Sequence, residues 1–127
     1  MPRTPISTTD APAAIGPYSQ ATRAGNTVYF SGQIPLDPAT GDLVAGDMTA
    51  QARRAFENLK AVAEAAGGGL QDIVRVGLYV TDLGQFAAAN AVMAEYFSEP
   101  YPARSTIEVS ALPKGAAFEV DAVMVLD

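Results

Sequence analysis

The sequence predicts an α+β fold: one mixed sheet with two helices on one face. Three observations carry this. Helical and strand-like periodicities follow one another as hairpin, helix, strand, helix, strand, strand. The chain has 127 residues, the size of one ordinary domain, with no linker or repeat to divide it, so residues 1–127 are read as one unit. The strand segments are apolar on both faces, whereas each helical segment has one apolar stripe.

In chain order, Thr22–Ala24 and Thr27–Ser31 flank Gly25-Asn26, a two-residue hairpin turn. Leu36–Asp42 is a turn-rich loop without the length or acidic spacing of a calcium loop. Residues 49–66 form a helix whose stripe is Ala52, Ala55, Phe56, Leu59, Val62, Ala63 and Ala66. Thr49 or Asp47 caps it, and Gly67-Gly68-Gly69 ends it. No Lys-Ser/Thr follows those glycines, so they do not form a phosphate cradle. Ile73–Thr81 is a β-branched strand. Asp82 caps a second helix, from Leu83 to about Phe97, with a stripe of Leu83, Phe86, Ala87, Asn90, Met93, Ala94 and Phe97. Pro100 and Pro102 break the chain, and Ser105–Val109 and Phe118–Leu126 are the last strands.

In the last strand Phe118, Val120, Ala122, Met124 and Leu126 share one face, while Val123 and Val125 lie on the other beside Glu119 and Asp121. Ile73 and Tyr79 likewise oppose Val74, Val76, Leu78 and Val80. Two helices cover one face only. The other needs a cover, and self-association is the expected one.

Composition excludes much chemistry. There is no Cys and no His, which removes disulfides, thiolate nucleophiles, Ser-His-Asp triads and ordinary zinc sites. Net charge is −6 and the eight basic residues are scattered, so nucleic acid and anionic membrane are not expected partners. The one adjacent basic pair, Arg53-Arg54, reads as a solvated helix face. No apolar run approaches the ~20 residues of a membrane span, and the N-terminal segment lacks the apolar core of a secretory signal; a cytoplasmic protein is expected.

Carboxylates, Arg, Lys, Tyr, Ser, Thr and Asn remain to carry chemistry. Arg104 opens a strand after Pro102-Ala103, and its rigid fork suits a carboxylate or phosphate, although an edge salt bridge is the commoner role on spacing alone. Glu119 lies inside the most apolar strand, where a carboxylate is either paired, with Arg104 or another Arg, or functional. Asn90 falls on an apolar helix stripe and needs hydrogen-bond partners. Tyr18 sits in the loop Gly16–Gln20, and Ser31 ends a strand before Gly32-Gln33, where backbone could approach a ligand.

Ala11–Gln20 (APAAIGPYSQ), Ser31–Pro35 (SGQIP), Pro102–Val109 (PARSTIEV), Leu112-Pro113-Lys114 and Phe118-Glu119-Val120 together resemble the Rid (YjgF) family of reactive imine deaminases, almost end to end. The resemblance implies a chorismate-mutase-like unit and a homotrimer with ligand clefts between subunits. It implies hydrolysis of 2-imino acids and their enamine tautomers, such as 2-iminopropanoate and 2-iminobutanoate, to 2-keto acids and ammonia, with no cofactor and no metal. Arg104 would bind the substrate carboxylate, with the backbone of Thr106, and Glu119 would position or deprotonate water. Tyr18, Ser31, Gly32 and Asn90 would line the cleft, with Tyr18 from a neighbouring subunit. Thr106 departs from the Cys that many members carry, and the stretch before Pro102 is short. A module that binds a small carboxylate without turnover is the competing reading.

Overall fold

The computed structural model describes residues 2–127. Eight regular elements follow the expected order, with one strand added at the start. They are β1 (Arg3–Ile6), β2 (Ala21–Ala24), β3 (Thr27–Gln33), α1 (Met48–Ala65), β4 (Ile73–Val80), α2 (Phe86–Tyr96), β5 (Ala103–Glu108) and β6 (Phe118–Val125). The strands form one mixed sheet in the order β1-β2-β3-β6-β4-β5. Only the β4–β5 pair is parallel, because the crossover through α2 returns β5 in the same direction.

Local chemistry sets the element ends. Ala24 pairs with Thr27 across a two-residue turn, with Gly25 in the left-handed region at φ 61°. Asp47 caps α1 by accepting from the Ala50 N–H at 3.0 Å, and Gly67 at φ 94° turns the chain out of that helix.

The core lies between the helices and one sheet face. Phe118, Val120, Ala122 and Met124 of β6 pack with Val76, Leu78 and Val80 of β4 beneath Phe56, Leu59 and Val62 of α1 and Val92 of α2. Leu126, expected on this face, lies past the end of β6 and is half-buried. The start of β4 reverses the expected assignment: Ile73 is buried and Val74 is exposed. A bulge between Ile73 and Arg75 shifts the register against β6 by one residue, which exchanges the faces.

The buried face of α2 also differs. Ala89, Val92 and Met93 are buried, whereas Ala87, Asn90 and Ala94 are exposed. Leu83–Gln85 form a separate 3₁₀ turn capped by Asp82, so the α-helical phase starts only at Phe86. The alanine-rich segment that follows is weakly polarised, and its sequence does not decide which side turns inward. Nor is Arg53-Arg54 a simple solvated face. Arg53 bridges to Glu95 of α2 at 2.7 Å, and Arg54 donates to the fully buried Asn58 at 2.9 Å.

The opposite sheet face has no helix. Tyr29, Ile107 and Val125 stand on it exposed, beside half-buried Val123. Among the described residues no helix is long and apolar enough to cross a membrane.

Candidate functional site

Apart from Thr106, the expected site residues divide between two cavities on opposite faces of the sheet. The cavities are similar in size, about 510 and 490 Å³, so chemistry rather than volume must distinguish them.

The first lies on the helix face, at the sheet edge. In the parallel β4–β5 register Arg104 stands beside Val76, a core residue, so its side chain projects toward the helices. Because β5 is the outermost strand, Arg104 emerges over α2 instead of entering the core. The cavity around it is lined by Asn90, Met93, Ala94, Tyr101 and Pro102. The Arg104 Nη1 group donates to Asn90 Oδ1 at 2.6 Å and approaches Met93 Sδ at 3.7 Å. The guanidinium carbon lies 5.1 Å from the centre of the Phe86 ring. Among the described residues no carboxylate bridges to Arg104, so it is not an edge salt bridge.

The second cavity lies on the helix-free side. Glu119 pairs with Tyr79, one position out of phase with the core residues Phe118 and Val80. It lines this cavity with Tyr18, Ser31, Gly32, Gln20 and Lys114. The pairing of β3 with β6 is interrupted between Phe30 and Gln33, and the bulged backbone at Gly32 comes against the Glu119 carboxylate. A side chain at position 32 would occupy the space of that carboxylate. Burial, and secondarily the negative charge of Asp121, raises the Glu119 pKa above the ordinary carboxylate value. Asp121 itself accepts from the Tyr79 hydroxyl at 3.0 Å, and the tyrosine is shifted upward, chiefly by burial.

Of the two readings of Glu119, pairing with an Arg is not seen among the described residues, and Arg104 is on the far side of the sheet. Tyr18, expected to reach the cleft from a neighbouring subunit, lies with Glu119 and away from Arg104 within one chain. Its exposed ring hangs from a loop in which its hydroxyl accepts from the Ile15 N–H at 3.3 Å. Ser31 Oγ donates to Ser19 O at 2.5 Å, and the Ser31 N–H donates to Gln20 O at 3.0 Å. Its amide is thus committed within the chain, and its hydroxyl can offer a ligand only lone pairs. Thr106 follows Arg104 on the same face but lines neither cavity.

Sequence reasoning missed three residues here. Gln20 is buried and fixes the preceding loop: its Oε1 accepts from the Thr8 N–H at 2.7 Å, and its Nε2 donates to Pro12 O at 2.7 Å. Lys114 adopts a left-handed φ of 58° and donates from Nζ to Gly41 O at 3.0 Å, tying two loops at the cavity wall. A Lys-Gly pair after Pro113 was a detectable turn signal for it. Phe86 reads as core in the sequence, and its ring lies against Arg104.

Residues 8–126 match the family model described as Endoribonuclease L-PSP, which is that of the Rid (YjgF) proteins. The chain belongs to the Rid family. It is 51% identical over 118 residues to a RutC family protein of Pyrococcus horikoshii, covering 93% of this chain and 94% of that one. It is 50% identical over 123 residues to the 2-iminobutanoate/2-iminopropanoate deaminase of Salmonella typhimurium, covering 94% and 95%. Among solved structures, TdcF of E. coli with bound serine superposes with a TM-score of 0.92 at 42% identity, covering 98% of this chain and 99% of that chain. The Rid family assignment and the α+β fold thus stand together.

Proposed function

We propose that this Rid protein hydrolyses reactive 2-imino acids and their enamine tautomers, such as 2-iminopropanoate and 2-iminobutanoate, to 2-keto acids and ammonia. The working site would form between copies of the chain in a homotrimer, with the Arg104 cavity of one copy meeting the Glu119 cavity of the next. The observation that carries this reading is the separation itself. Among the described residues, Arg104 on one face is bridged to no carboxylate, and Glu119 on the other is half-buried and bridged to no cation, the Lys114 of its cavity being turned to Gly41 O. Each has what a zwitterion-sized substrate and its attacking water require, and neither is complete alone. The exposed apolar residues Tyr29, Ile107 and Val125 give the helix-free face a reason to be covered.

In this mechanism the Nε–H and Nη2–H edge of Arg104 holds the substrate carboxylate by two parallel charge-assisted hydrogen bonds. That leaves C2 facing Glu119. Water adds to C2 of the protonated imine while one of its protons passes to the Glu119 carboxylate, giving a neutral carbinolamine. Glu119 returns that proton to nitrogen and takes up the hydroxyl proton as the C–N bond breaks, so that ammonia leaves, the C2 carbonyl forms, and the last proton is released to solvent. A carboxyl group with a raised pKa suits both halves of that exchange. Imines hydrolyse in water unaided, so orientation and one weak base supply the needed acceleration.

The similarity to a named imine deaminase, and to a protein seen with bound serine, supports the same substrate size. A pure binding module would need Arg104 but not a desolvated carboxylate opposite it. A net charge of −6 argues against an RNA backbone as substrate. The test is a semicarbazide-competition assay on imines generated in situ from several amino acids. Purified protein should divert imine from semicarbazone to keto acid. Binding of 2-oxobutanoate without any acceleration would instead establish the binding module.

A further inference from the structure

We propose that Phe86 and Asn90 are positioning residues for Arg104. Together they fix the guanidinium so that its Nε–Nη2 edge, and not its Nη1 end, meets the substrate carboxylate. The inference rests on the carboxylate-clamp reading above and adds how the clamp is aimed.

A guanidinium offers five N–H bonds in one plane and can present either of two forks to a carboxylate. In this structure both close contacts fall on Nη1: Asn90 Oδ1 at 2.6 Å and Met93 Sδ at 3.7 Å. Among the described residues, Nε and Nη2 of Arg104 donate to nothing, so the fork formed by those two atoms is whole. The contact to Asn90 fixes rotation within the plane. The Phe86 ring, 5.1 Å from the guanidinium carbon, limits tilt out of it. Phe86, Asn90 and Met93 are spaced by four and three residues, which places them on one flank of α2. The stripe that reads as core in the sequence is therefore, in part, the seat of an arginine.

The chemistry of this seat matters as much as its shape. A carboxylate beside Arg104 would hold it more strongly but would compete with the substrate. An amide oxygen, a thioether and an aromatic face hold the cation and leave its charge unneutralised. Asn90 must turn its oxygen toward Arg104, since arginine can only donate. It is thus a support for the clamp rather than a direct contact to substrate.

The test uses the full-length protein and 2-oxobutanoate as a carboxylate probe, with imine-hydrolysis kinetics alongside. Phe86→Leu should weaken probe binding roughly three- to tenfold, while Phe86→Tyr, which keeps the ring face, should retain it. Asn90→Ala should weaken binding by a similar factor. Asn90→Asp should do worse than Asn90→Ala, losing more than about tenfold, because the new carboxylate pairs with Arg104 in the substrate's place. A merely structural Asn90 predicts the reverse order, since aspartate keeps its size and accepts more strongly. The losses should fall on KM with kcat nearly kept. Should Phe86→Leu fail to fold, the two variants at exposed Asn90 decide. Wild-type probe affinity in Phe86→Leu and Asn90→Ala, or Asn90→Asp binding better than Asn90→Ala, would overturn the inference while Arg104→Ala still loses binding. Wild-type affinity in Arg104→Ala itself would instead overturn the clamp.

Discussion

The two cavities are built by opposite means. The Arg104 side uses regular structure: an edge strand presents the cation and one flank of a helix holds it by an amide, a thioether and a ring. The Glu119 side uses irregular structure. There a bulge removes strand pairing at Ser31-Gly32, a glycine admits the carboxylate, and loops closed by Gln20 and Lys114 form the wall. In the proposed reaction the difference matches what each group would do. A cation that grips a carboxylate needs fixed direction and full charge. A carboxylate that exchanges a proton needs loss of water and no counter-ion, which burial beside Asp121 provides.

The largest expected effects separate the halves by kinetic parameter. Glu119→Gln should lower kcat roughly a hundredfold while keeping affinity for 2-oxobutanoate, as expected for loss of a general base. Arg104→Ala should lower kcat/KM by a similar factor, through binding, and Arg104→Lys by at least about tenfold because Lys cannot match both carboxylate oxygens. The comparison fails if Glu119→Gln weakens binding and spares turnover. A loss of folding in that variant would make Glu119 structural.

Next in size is complementation. Coexpressed Arg104→Ala and Glu119→Gln chains should recover roughly a quarter of wild-type activity, since a site drawing one half from each of two copies is intact in one pairing of four. Light scattering should give three chains per particle. No recovery from demonstrably mixed assemblies, or a monomer at micromolar concentration, would confine the site to one chain.

A smaller effect probes how closely the second half is fitted. Gly32→Ala places a methyl group where the Glu119 carboxylate lies, and the carboxylate, as the end of a flexible side chain, is what moves. The protein should fold normally with kcat lower by roughly tenfold, because misplacing a reacting group by about an ångström is costly. An unchanged kcat would mean that the approach of Gly32 to Glu119 is incidental.

Legibility in the sequence follows the range of the interactions. The Gly25-Asn26 hairpin, the Asp47 cap and the stop at Gly67 were readable because each is decided within a few residues. β1 was not, since Arg3-Thr4-Pro5-Ile6 has the proline of an edge strand and no periodicity, and becomes a strand only by pairing with β2. The face of α2 was obscured by its alanines, and that of Ile73 by a bulge. Alternation did place Glu119 beside Asp121, off the core face. Which face Arg104 would join depended on the β4–β5 register across a crossover, which no local pattern encodes. The candidate site residues were named from the family resemblance, which also put Tyr18 on a neighbouring subunit; that Glu119, Ser31 and Gly32 share the Tyr18 cavity while Asn90 shares that of Arg104 was not read from the sequence.

The subtlest expected effect is on stability. Glu119 has its pKa raised in the folded chain, first by burial and then by Asp121. The folded state therefore binds this proton more tightly than the unfolded state does. That contribution to stability is fully present below the ordinary carboxylate value of 4.5, and it is lost as pH rises through the raised value. At neutral pH the ionised group is a net burden, as is common where a charge is kept for chemistry. Glu119→Gln removes the burden without changing shape. Its Tm should exceed that of the wild type at neutral pH, and the gap should close as pH falls below 4.5. Thermal unfolding of both proteins across that range measures it. A lower Tm for the variant at neutral pH, recovering in acid, would mean that Glu119 is held by a cation in the assembled protein. The contrast between an arginine bridged to no carboxylate and a carboxylate bridged to no cation would then apply only to the isolated chain.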